Sequence, residues 1–93
     1  GIEEESQQTV IEIFGKEFFD HLLFEIEWIS QNIDTFQNYH INFYSEIFER
    51  YPELFIKNPK ILAEKLRMLI TELGIEYLDL LELDLSILER IAV

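Results

Sequence analysis

Apolar residues recur at steps of three or four through the first third of the chain, the spacing of one face of an α-helix. This stripe predicts one long first helix from about Gln7 to Ile33. Gly15 lies inside it, where it either costs about 1 kcal/mol relative to alanine or marks a kink. The residues of the stripe are Ile11, Phe14, Phe18, Leu22, Ile26, Ile29 and Ile33.

Polar residues at 32–35 interrupt the apolar pattern and predict a break between helices. Asp34 or Thr35 can cap a following helix by accepting a hydrogen bond from its free N–H groups. A second helix is expected from Phe36 to about Tyr51, because Pro52 disfavours helical geometry in the residue before it.

The remaining segments carry clearer end signals. Residues 52–56 allow one short helical turn, and Asn58 before Pro59 is typical of a helix start. The third helix should end at Gly74, which readily adopts the left-handed conformation of helix ends. Residues 76–92 predict a fourth helix, with a split into two short helices near Asp84 as the alternative.

These patterns predict an all-α fold in a single domain spanning residues 1–93. The expected architecture is a compact bundle of four helices, or five if the 52–56 turn is counted. Because the connections are short, neighbouring helices should pack mostly antiparallel.

The charge is strongly acidic, with nineteen Asp and Glu against seven Lys and Arg and a net charge of -12. Such a field repels a phosphate backbone, so direct nucleic-acid binding is not expected. It can steer the protein toward a basic partner, or it can serve only to keep an apolar domain in solution.

The chain contains no Cys, which excludes disulfides, thiol catalysis and Cys-based zinc sites. No apolar run reaches the roughly 18 residues of a membrane span, so we expect a cytoplasmic protein without a membrane partner. A start at Gly1 rather than Met suggests either a domain excised from a larger protein or the remnant of a tag.

No motif for catalysis, metal binding or a cofactor is recognisable, and we expect none of these. His21 and Glu25, four residues apart, could supply two metal ligands, but further ligands are not visible. Carboxylates such as Asp79 and Glu82 are expected on a solvated helix face. Arg50, Lys57, Lys60, Lys65 and Arg67 form a local basic region, expected to pair with the acidic first helix or to meet a partner or anion.

Two family resemblances exist, and neither assigns a role to a residue. Segments 44–49 and 77–82 match in aromatic, acidic and apolar character, and with Pro52 and Pro59 they resemble helical repeats of mitochondrial transcription termination factors. Those proteins are basic nucleic-acid binders, whereas this chain is acidic. Segment 43–54 is similar to the second helix of bacterial globins, but no His follows that could bind haem iron.

A second apolar side of the predicted first helix supplies the candidate binding residues. At about 100° per residue, they lie nearly opposite the main stripe. Either they are covered in the middle of the bundle, or they form a patch for a partner or for self-association. These residues are Ile13, Glu17, His21, Phe24 and Trp28.

The sequence therefore predicts a non-catalytic, acidic protein-protein interaction domain, such as a small inhibitor, immunity, antitoxin-like or adaptor module. The alternative is a dimerising regulatory or sensory domain of a larger signalling or transcription protein. The surplus of large apolar residues predicts a protein partner or self-association, for which we expect a homodimer.

Overall fold

The computed structural model describes residues 2–92, which form seven α-helices and two short 3-10 helices. The all-helical prediction is confirmed, whereas the predicted count of four or five helices was too low because several predicted helices are broken. In chain order the elements are α1 (Glu4–Phe14), α2 (Lys16–Phe24), α3 (Ile26–Asn38), α4 (Tyr44–Arg50), η1 (Pro52–Ile56), α5 (Pro59–Leu73), α6 (Tyr77–Leu83), η2 (Leu85–Leu88) and α7 (Glu89–Ala92).

The single first helix predicted for residues 7–33 is wrong, because the chain breaks at Gly15 and at Glu25. Gly15 adopts φ 93° and ψ 158°, a region essentially reserved for glycine, so α1 ends there and α2 starts in a new direction. The rings of Phe14 and Phe18 lie 5.5 Å apart across this break. Glu25, at φ -104° and ψ 27°, separates α2 from α3.

The break predicted at residues 32–35 is also misplaced, since α3 continues to Asn38. His40 ends it with a left-handed φ of 62°. The Ile41 N–H donates to the Phe36 carbonyl and the His40 N–H donates to the Gln37 carbonyl, both at 2.9 Å. This is a Schellman motif with His40 in the place usually taken by glycine. The second helix therefore begins at Tyr44 rather than Phe36.

The end signals around the third predicted helix are confirmed. The Asn58 side chain accepts a hydrogen bond from the Lys60 N–H at 3.0 Å, and Gly74 ends α5 at φ 84°. The turn predicted at residues 52–56 is η1. The last segment is split, as the alternative allowed, where Asp84 accepts from the Ser86 N–H at 3.0 Å.

The core lies where α3, α4, η1 and α5 meet, with α1 and α7 packed around them. Phe55 of η1 is fully buried, and its ring centroid is 5.3 Å from both Phe36 and Phe48. Burying each such side chain contributes about 1.5–3 kcal/mol, so this trio is a large part of the core's stabilisation. Fully buried aliphatic residues surround it: Val10, Ile41, Ile47, Leu54, Leu62, Leu66, Leu81 and Leu88.

Two tyrosine hydroxyls form hydrogen bonds that connect α6 and α7 to earlier parts of the chain. The buried Tyr51 hydroxyl donates to the Glu89 carboxylate at 3.1 Å, and burial together with this bond raises the pKa of Tyr51. The Tyr77 hydroxyl donates to the Tyr39 carbonyl at 2.8 Å. Both bonds join elements 38 residues apart in sequence, and they hold α6 and α7 against the body formed by α3 and α4.

Candidate protein-binding groove

A groove lined almost wholly by apolar side chains opens beside the long wall formed by α2 and α3, and its volume is about 370 Å³. The start of the chain supplies Ile2 and Gln7, and α4 supplies Phe48. We call this surface the apolar groove. Its α2 and α3 wall consists of Phe19, Leu22, Leu23, Ile26, Ile29 and Ile33, with Ser30 beside them.

The groove exists because the α2–α3 stripe is wider than the rest of the fold covers. Leu22 is buried, but Leu23 is 52% exposed and Ile26 is 60% exposed. Ile26 belongs to the stripe that the sequence assigns to core packing. The apolar side chains at the mouth of the groove are therefore available for contact with another molecule.

Polar groups are scarce in the groove. Among the described lining residues, only Gln7 and Ser30 are polar. The Gln7 side-chain amide donates to the Ile2 carbonyl at 3.0 Å, so part of its hydrogen-bonding capacity is already used within the chain. Contact with a molecule bound in this groove would therefore be mainly apolar.

The groove is built entirely from the acidic half of the chain. Every lining residue falls within residues 1–49, a segment with eleven Asp and Glu and one lysine, Lys16. An apolar surface in this setting attracts cationic molecules and repels anionic ones. The groove thus combines a large apolar contact with a negative surrounding field.

The five candidate binding residues of the sequence analysis do not form one helical face, because the breaks divide them among three helices. Ile13 lies in α1 and is 64% exposed. Glu17, His21 and Phe24 are exposed on α2, Phe24 by 86%, and Trp28 is half-buried in α3. None of the five lines the apolar groove. Phe24 is not covered in the middle of the bundle, which rules out that alternative for this residue.

The metal-ligand candidates and the basic region of the sequence analysis do not come together as a site among the described residues. The described residues contain no group of three or more His, Asp or Glu that could hold a metal ion. In the basic region, Arg67 pairs with Glu64 of the same helix rather than with the acidic first third of the chain. The hydrogen bond and positive charge of Arg67 lower the pKa of Glu64.

Asn32, which the polar pattern at residues 32–35 places in a break between helices, instead has a structural role within α3. The side chain is fully buried, and its amide N–H groups donate to the carbonyls of Phe55 at 2.8 Å and Lys57 at 3.0 Å. It therefore ties α3 to η1 and to the start of α5. Its position three residues after Ile29 and four before Phe36 places it on the buried face and is the signal that could have revealed this role.

None of the helices in the described part of the chain is long and apolar enough to cross a lipid bilayer. No protein-family model, curated protein or solved structure matches this chain.

Proposed function

We propose that this chain is a non-catalytic, acidic protein-protein interaction domain that binds its partner in the apolar groove. It would act as a small inhibitor, immunity, antitoxin-like or adaptor module. The supporting observation is the pair Leu23 and Ile26, which are more than half exposed at the mouth of a nearly apolar groove. Exposed apolar clefts of this kind mark sites where proteins bind one another.

A dimerising regulatory or sensory domain is the second candidate function. It is favoured by Phe24, which is 86% exposed, and by Ile13, which is 64% exposed, both outside the groove. Large exposed aromatic side chains are frequent anchors of interfaces. Under this alternative, a second copy would cover Phe24 and leave the groove free.

Selection of peptides from a displayed random library on the purified domain tests the groove. We expect enriched peptides to lose at least about tenfold in affinity for Ile26→Gln, because an amide then stands at an apolar contact. Ile75→Gln is the matched control, since Ile75 is 98% exposed in the turn after α5. Both substitutions remove little burial, so both variants should fold.

Two outcomes would count against the groove. Enriched peptides that bind Ile26→Gln as well as wild type use another surface, and a library that yields no binder removes the recognition function. If Phe24→Gln abolishes a dimer seen by sedimentation while Ile26→Gln does not, the dimerising domain is the better description.

A further inference from the structure

The α2 and α3 wall of the groove carries an apolar residue followed by an acidic residue three times, at a spacing of seven. The three pairs are Phe19–Asp20, Ile26–Glu27 and Ile33–Asp34. Each apolar member lines the groove, and each carboxylate is exposed. Seven residues are close to two helical turns, so equivalent positions return to the same side about 10 Å further along.

Glu27 and Asp34 therefore lie on one side of α3, and Asp20 follows Phe19, which lines the same groove from α2. Each is turned by about 100° from the apolar residue before it, and all three are turned in the same sense. The Ile29 N–H donates to the Glu25 carbonyl at 2.9 Å, so helical hydrogen bonding resumes directly at the junction between α2 and α3. We call Asp20, Glu27 and Asp34 the acidic row.

We propose that the groove binds a basic amphipathic helix of another protein. Its apolar side chains, at i, i+3 or i+4, and i+7, would enter the groove, and Lys or Arg residues seven apart would face the acidic row. Ile26 and Ile33 lie about 10 Å apart along α3, and Phe19 extends the wall onto α2, so the groove offers contact to at least two turns of a helix. This inference names the partner class of the proposed function and rests on it.

A second copy of the chain is a poorer occupant. Each copy carries a net charge of -12, so groove-to-groove contact would bring two acidic rows together. The part of the basic region that lies on α5 does not provide a basic amphipathic helix face for the groove of a second copy either. Ile61 and Met68 are exposed there, but Glu64 lies between them and already holds Arg67.

Synthetic peptides test the partner class. The probe is an 18-residue helical peptide about 27 Å long, with leucines at heptad spacing and lysines on one flank. A scrambled peptide of equal composition and a version with glutamates in place of the lysines are the comparisons. Binding is measured by fluorescence anisotropy in about 0.1 M salt, where the Debye length is about 10 Å. We expect the amphipathic basic peptide to bind at least about tenfold more tightly than both.

Charge-reversal variants of the protein distinguish a specific contribution of the acidic row from non-specific attraction by the net negative charge. The double variant Asp20→Lys, Glu27→Lys should bind the basic peptide about tenfold more weakly than the wild type does. It should bind the glutamate peptide more tightly. The control, Glu76→Lys with Asp79→Lys, changes the net charge equally on exposed residues around the start of α6. It should leave the affinity within about twofold, because screened distant charges matter little.

Several results would overturn this assignment while leaving the proposed function intact. One is a library selection whose groove-binding peptides are not basic. Another is equal weakening by both charge-reversed pairs, or equal binding of the scrambled peptide, which would mean non-specific attraction only. Sedimentation of the chain alone showing a dimer that Ile26→Gln dissolves would identify a second copy as the occupant instead.

Discussion

Asn32 is the residue whose behaviour departs furthest from its polar character. It is fully buried in α3, and its amide group satisfies the carbonyls of Phe55 and Lys57 at a point where the chain leaves η1 and lacks helical partners. Its own side-chain oxygen is buried without a partner in the structure. Burial of this amide is tolerated because two backbone carbonyls would otherwise be left unpaired.

Replacing Asn32 by alanine should destabilise the protein by about 2–3 kcal/mol, because the buried carbonyl of Phe55 and the half-buried carbonyl of Lys57 then lose their donor. Urea unfolding followed by circular dichroism measures this loss. Asn38→Ala at the exposed end of α3 is the control and should cost less than about 0.5 kcal/mol. Similar midpoints for the two variants would show that the hydrogen bonds from Asn32 contribute little.

Among the elements, the junction of α1 and α2 shows how one glycine changes the direction of a helix that the apolar pattern favours. Residues on both sides of Gly15 continue the helical spacing, yet the φ of 93° ends α1. α1 then packs on α4 as well as on α2. With α1 packed on α4, Ile2 and Gln7 lie at the groove and form part of its lining.

Gly15→Ala should destabilise the protein by about 1–3 kcal/mol, since an L side chain is strained at this φ and ψ. A Cβ at this position would meet no atom within 4 Å, so the loss reports backbone conformation rather than a clash. Thermal unfolding compared with Gln8→Ala, an exposed position of α1, measures it. Unchanged stability together with increased helical signal would mean that α1 and α2 had joined into one helix.

For the molecule as a whole, the net charge of -12 has opposite consequences for folding and for the proposed binding. Like charges held within a radius of gyration of 12.7 Å repel one another, which weakens the folded state. The same charges attract a basic partner. Added salt screens both interactions, because the Debye length falls to about 10 Å at 0.1 M.

Raising sodium chloride from about 0.02 to 0.2 M should therefore shift the urea midpoint upward while it weakens binding of the basic peptide. The two measurements use the same protein and buffer series. Glu76→Lys with Asp79→Lys, which lowers the net charge to -8 (four fewer negative charges than -12), should show a smaller shift of the midpoint. A midpoint that falls with salt would contradict repulsion as the dominant effect of the charge.

Local signals in the sequence determined the helical class, the bounds of α5 and the short turn at η1. Asn58, Pro59 and Gly74 act within a few residues of themselves, through a cap, a preset φ and a left-handed end, so no distant contact is needed to recognise them. The acidic character and the surplus of apolar side chains also follow from composition alone.

Only the tertiary structure decided where the long apolar stripe is interrupted and which part of it stays uncovered. The breaks at Glu25 and His40 occur at residues with no strong preference for ending a helix, so packing chooses them. Likewise, a helical stripe shows that a face is apolar but not whether another element covers it. Leu22 and Ile26 share one stripe, yet in the folded chain the first is buried and the second is exposed at the groove.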